Sequence, residues 1–248
     1  MTEADRASAQ PPPGQGAPGD ARARIVMALM ELAAEQRWED IAIAEIARRA
    51  GVGLAGFRAC FPSKGAALAA FSRMIDQQVL EAVTDDLAGE PARDRLFDVL
   101  MRRFDALTPH KQAIRNIREW LRRSPSSAIA LNGEILNSMR FMLEAANIDS
   151  EGPVGTLKLQ GLALAWSGVV DVWLRDDSER LDKTMVALDR ALDRGGRLVS
   201  RLEDIDRLAA PFKAFAAAVC AGRRSFEARV RERWSDRRHA YGDDHTAP

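Results

Sequence analysis

Residues 41–71 read IAIAEIARRAGVGLAGFRACFPSKGAALAAF, and the spacing of their large side chains decides the fold. Ile43, Ile46 and Ala47 fall on one face of a short helix, Ile43–Ala50, that stops at Gly51. Gly51-Val52-Gly53 makes a tight turn. A second short helix, Leu54–Cys60, sets Phe57 on the same side as Phe61 and stops before Pro62. Helices this short bury such faces only by crossing steeply against each other and against a third helix. That arrangement is a helix-turn-helix, expected over about residues 42–61.

The third helix lies upstream, from about Ala21 to Arg37, with Ile25, Leu29 and Leu32 as its apolar stripe. Downstream, a helix starting near Ser63 carries Leu68, Phe71, Ile75 and Val79 to about Leu87, where Gly89 and Pro91 break the chain. The same three- and four-residue spacing predicts helices over Arg93–Leu107, Pro109–Arg123, Ser126–Ala146 and Val154–Leu174. Another follows from Ser178 or Glu179 to about Leu202, capped by Asp177 or Ser178, and the last covers Ala209–Arg238. Strand-like alternation is missing, so the class is all-α. The expected organisation is a tail over 1–19, a helix-turn-helix domain over 20–89 and a helical ligand-binding and dimerisation domain over 90–202. A basic amphipathic helix over 203–238 and a tail over 239–248 complete it.

The chain has 248 residues, enough for one large or two small domains with a real core. Its 36 basic and 36 acidic side chains cancel, so attraction to nucleic acid must come from a local basic surface. Such a surface exists between Ala44 and Arg73, where Arg48, Arg49, Arg58, Lys64 and Arg73 face the single acid Glu45. A bare cluster of this size is commonly a solvated face, but a helix-turn-helix gives it a phosphate backbone to meet. Arg58 lies in the second short helix, within reach of a phosphate or of the O6/N7 edge of guanine. Lys64 opens the following helix, whose first N–H groups can also receive a phosphate. The residues expected to meet DNA are Ala42, Arg48, Gly53, Leu54, Ala55, Gly56, Arg58 and Lys64.

With Ile43, Glu45, Ile46, Ala47, Ala50-Gly51-Val52, Phe57, Phe61-Pro62-Ser63-Lys64 and Leu68, the segment resembles the DNA-binding part of TetR-type bacterial regulators. Ile25, Ala28, Leu29 and Trp38 extend the likeness over about residues 21–80. The resemblance implies a homodimer with two N-terminal modules on operator DNA and a small effector in the helical domain. Three positions depart from the family pattern: Gly53 stands where a Ser or Thr is usual, Arg58 where a Tyr grips phosphate, and Cys60 at a commonly aromatic or histidine position. Leu54, Ala55, Gly56 and Ala59 offer base edges almost no hydrogen bonds. The region 95–195, through its Arg-Phe…Pro-His pattern and Trp173…Asp176-Asp177-Ser178, also resembles the TetR-fold accessory proteins of ubiquinone biosynthesis. That likeness implies an isoprenoid-binding protein without DNA binding.

A pocket for an apolar ligand is expected among Met101, Phe104, Trp120, Met139, Met142, Trp166 and Trp173, which otherwise form a plain packed core. Gly155, Gly161, Ala163, Ala165 and Gly168, with Met185, Leu188 and Leu192 on the next helix, suit either a dimer interface or close packing within one subunit. The last helix carries eight basic residues beside a stripe from Ile205 to Trp234, a pattern that fits a membrane surface, a partner or its own domain. His110, His239 and His245 are scattered, and no HExxH, GxSxG, P-loop or dinucleotide-binding glycine pattern occurs. The expectation is a non-enzyme with no metal or other cofactor. Two cysteines and a first segment without a signal-peptide pattern lead us to expect a cytoplasmic protein.

Overall fold

The structure is a computed structural model and describes residues 18–84 and 89–197. The basic helix expected over 203–238, with the membrane surface considered for it, and the tail expected over 239–248 lie outside the described residues. Of the tail expected over 1–19, the last two residues already belong to the first helix.

Helix α1 spans Pro18–Glu35 and buries Ile25, Leu29 and Leu32 completely. A short 3-10 turn, Trp38–Asp40, leads into α2 (Ile43–Arg49). Gly51, at φ +66°, ends α2 in the left-handed region that favours glycine. There the Gly51 N–H bonds Arg48 O at 3.1 Å and the Val52 N–H bonds Ala47 O at 2.9 Å, which satisfies two helix-end carbonyls. Helix α3 (Leu54–Cys60) follows, then α4 (Lys64–Glu81), whose N-cap Ser63 accepts a hydrogen bond from the Ala66 N–H at 3.1 Å. Helix α4 ends six residues before the expected Leu87, with Ala82 closing the last turn.

The second half contains α5 (Ala92–Leu107), α6 (Lys111–Arg123), α7 (Pro125–Ala145) and α8 (Gly152–Trp173). Thr108–His110 forms a 3-10 turn, so Pro109 precedes α6 rather than opening it. A ninth helix, α9, covers residues 182–197. It begins three or four residues later than expected because the intervening chain is held by Asp176. That buried carboxylate accepts from the Ser178 N–H and Oγ and from the Thr184 N–H and Oγ1, while Ser178 Oγ accepts from the Asp182 N–H. No strand occurs among the described residues.

The buried core is continuous from Ile25 in α1 to Leu192 in α9. Helix α4 belongs to both ends of it, with Ala67 and Phe71 towards its start and Ile75 and Val79 towards its finish. No helix among the described residues is long and apolar enough to cross a membrane.

Candidate nucleic-acid interface

Helix α1 holds the two short helices by their ends. Arg22 donates to Cys60 O at 2.7 Å and lies over the Phe61 ring, which caps the C-terminus of α3. Arg24 donates to Ala50 O at 3.1 Å and does the same for α2. Arg49 forks onto the Glu35 carboxylate with two bonds of 2.8 Å, and that hydrogen-bonded charge lowers the Glu35 pKa. Beneath these contacts Ile46, Ala47, Phe57 and Phe61 are buried. Gly56 permits the tight fit of α3 on the turn, because a Cβ there would lie 3.3 Å from Val52 Cβ.

The outward face is mostly apolar. Gly53, Leu54, Ala55, Arg58 and Ala59 are exposed, Leu54 to 58%. On α2, Ala42 at the N-cap and Arg48 in the last turn are exposed as well. Arg48 and Arg58 have no partner among the described residues. The other three cations of the cluster are committed: Arg49 to Glu31 and Glu35, Arg73 to Glu134, and Lys64 to the protein interior.

Lys64 is a correction to the sequence reading. Its ammonium turns inward to donate to Trp38 O at 2.6 Å and Ile41 O at 3.0 Å, and it lies over the Trp38 ring. Burial lowers its pKa from the ordinary lysine value, against the pull of Glu39 and Asp40. The side chain closes the 3-10 turn in front of α2, and the two carbonyls it satisfies are the physical reason it leaves the surface.

The residues expected to line a ligand pocket divide. Phe104, Trp166 and Trp173 come together, with ring centroids 4.4 Å apart for Phe104–Trp166 and 5.6 Å for Phe104–Trp173. Met139 and Met142 are fully buried and Met101 is half-buried. Trp120 lies elsewhere, stacked on Trp38 at 5.0 Å. On α6, Asn116, Trp120 and Arg123 share the side that meets α1 and the 3-10 turn, while Ala113 and Ile117 enter the core.

Sequence reading missed the polar centre of this region. Arg103 on α5 pairs with Asp76 on α4; Ser138 Oγ donates to Asp76 Oδ1 at 2.7 Å, and Arg103 Nη2 donates to Ser72 Oγ at 3.3 Å. The guanidinium also lies 5.4 Å from the Trp166 ring centre. Burial pushes the Arg103 pKa down to about 9, which leaves it charged at neutral pH. The signal was present in the sequence: Arg103 sits on the stripe Leu96, Val99, Leu100, Phe104, Leu107, and Asp76 sits between Ile75 and Val79. A charge on a core stripe needs a buried partner.

The small-residue face of α8 also divides. Gly155, Ala163, Leu188 and Leu192 are buried within the chain, and a Cβ on Gly155 would collide with the Ser150 backbone. These residues pack inside the subunit. Gly161 and Gly168 are exposed and line up with exposed Leu157 and Leu164 on one side of α8. No group of His, Cys, Asp and Glu suited to a metal ion occurs among the described residues.

Among the described residues, an all-α arrangement whose second and third helices form a braced helix-turn-helix, with the further helices on the same continuous core, defines a helix-turn-helix protein. Its fold is that of the TetR transcriptional regulators. A TetR regulator from Nitrosomonas europaea ATCC 19718 superposes with a TM-score of 0.57 at 23% identity, covering 71% of this chain and 97% of that one. A TetR regulator from Rhodococcus sp. RHA1 gives 0.53 at 22% identity, covering 71% and 96%. No family model and no curated protein matches the sequence.

Proposed function

We propose that this protein is a DNA-binding transcriptional regulator, a homodimer that acts as a ligand-responsive repressor. The observation that carries the reading is the outward face of α2 and α3. Arg48 and Arg58 stand exposed and unpartnered there among the described residues, while Arg49 and Lys64 are spent on holding the module together. Arg58 is the single exposed side chain of α3 that can donate hydrogen bonds, so it carries the polar contact with the major groove. Leu54, Ala55 and Ala59 bring apolar surface, which suits thymine methyl groups and groove shape. Arg48 adds a phosphate contact.

A dimer built on α8 sets two such modules about 34–36 Å apart, one turn of DNA, or a multiple of that. An effector in the Phe104–Trp166–Trp173 region favours a different spacing of the two modules and releases the DNA.

The test is salt-dependent binding of the purified protein to DNA flanking its own gene, set against scrambled DNA. A specific regulator prefers the native fragment by about 10³-fold or more. Arg58→Ala is expected to remove most of that preference. Arg48→Ala is expected to weaken both fragments alike and to lower the salt slope by about one. Equal, weak binding of both fragments by the unaltered protein refutes the proposal.

A further inference from the structure

Two buried N–H donors in the C-terminal half find no acceptor among the described residues: Arg103 Nε and the indole Nε1 of Trp173. Both side chains are more than nine-tenths buried. They flank one aromatic pair, since the Arg103 guanidinium lies 5.4 Å from the Trp166 ring, Phe104 stacks on Trp166, and Trp173 packs on Phe104. Met139 and Met142, buried in the same continuous core, supply apolar surface and only a weak thioether acceptor. A folded protein gains from meeting such donors, so an acceptor brought from outside has two places to bind.

Charge decides which acceptor. Asp76 already neutralises Arg103, and Ser138 and Ser72 complete that pair. A carboxylate entering beside it would add an unpaired negative charge in a poorly solvated place. A neutral oxygen meets the donors without that cost.

We propose that these donors are the polar end of the effector site, and that the effector is a largely apolar, ring-bearing molecule with a neutral oxygen acceptor such as a ketone or ester. The inference rests on the ligand-responsive reading above and names the chemistry of its ligand. Acetophenone, ethylbenzene and benzoate test it, because they share a ring and differ in acceptor and charge. Calorimetric titration of the full chain is expected to rank acetophenone about fivefold or more above ethylbenzene, the yield of one net hydrogen bond, with benzoate weakest. Trp173→Phe keeps an aromatic ring and removes the N–H; the smaller ring alters the binding of both compounds, and the acetophenone-to-ethylbenzene ratio, which reads the hydrogen bond, is expected to fall towards one. Should that variant fail to fold, Arg103→Lys keeps a cation for Asp76, lacks the Nε donor and is expected to show the same loss.

Equal binding of the three compounds, a preference for benzoate, or no binding of any overturns the proposal. In the last case, buried water serves the donors. DNA retention, measured on the same preparation without ligand, reports the regulatory reading separately. A chain that holds its DNA and ignores acetophenone refutes the effector chemistry alone. One that binds acetophenone and no DNA refutes the regulator and leaves the ligand chemistry standing.

Discussion

A single side chain changes meaning with the direction it faces, and Lys64 and Arg58 form the contrast here. Lys64 gives two hydrogen bonds to the carbonyls of Trp38 and Ile41; Trp38 O also accepts from the Ile41 N–H at 3.4 Å, so removal of Lys64 takes a donor from both and falls hardest on Ile41 O. Lys64→Met is expected to cost about 1–3 kcal/mol of stability in urea unfolding, whereas Arg58→Ala, on an exposed and unpartnered residue, leaves the midpoint almost unmoved. Equal midpoints for the two variants would refute the inward role of Lys64. Gly51 carries its own cost: at φ +66° a Cβ is strained even in open space, and Gly51→Ala should lose about 1–2 kcal/mol. Asp176 gives a pH signature. Burial alone would raise its pKa, but the hydrogen bonds from Ser178 and Thr184 outweigh that and hold it well below the usual carboxylate range. A folded-state pKa below the unfolded value of about 3.9 contributes stability above that pH and loses it as the pH falls further. Wild type should therefore exceed Asp176→Asn in stability at pH 7, and the gap should narrow in unfolding curves taken below about pH 4; a gap unchanged down to pH 2 would contradict the assignment.

At the scale of elements, α6 is fastened on two sides. Asn116 donates to Ala33 O, Trp120 stacks on Trp38 and Arg123 reaches Glu39, all on the N-terminal module. On the opposite side Arg118 binds Asp171 and Ser167 of α8, and Arg115 donates to Leu174 O. Trp120→Ala removes the stack and is expected to cost about 2–4 kcal/mol in stability, somewhat less than a fully buried tryptophan. The helices themselves were legible from periodicity: α2 and α3 begin and end within a residue of where the spacing of Ile43, Ile46, Phe57 and Phe61 places them. Less legible was which way a long side chain turns. Trp120 lies beside the core residues Ala113 and Ile117 on α6, and it is the docking of α6 on the N-terminal helices, which local spacing does not encode, that brings its ring to Trp38. Lys64 was misread for a related reason, since a cation near a helix start suits a phosphate and a loop carbonyl equally well. The Asp76–Arg103 pair was written in the sequence as two charges on apolar stripes, but their meeting depends on how α4 crosses α5, which local spacing does not encode.

For the whole molecule, the exposed side of α8 is the feature a monomer does not need. Leu157, Gly161, Leu164 and Gly168 follow one another at four-, three- and four-residue steps along one face, and Leu164 is 76% exposed. Small residues between leucines let a second helix approach closely, and a two-fold axis would bring the same face of another copy against it. Burying a leucine from each copy favours association by about 1.5–3 kcal/mol per side chain. Leu164→Glu reverses this by setting two carboxylates near the axis in place of two apolar groups. Sedimentation equilibrium should find the wild type dimeric and the variant at least about 10²-fold weaker in self-association, from the lost burial and the added repulsion together. Circular dichroism should be unchanged, because the residue faces outward. DNA binding should fall with it, since a monomer engages one half-site and loses the effective concentration that links the second. If the variant still sediments as the wild type does, the face is not a contact between copies, and the dimer proposed above would have to be built on another surface.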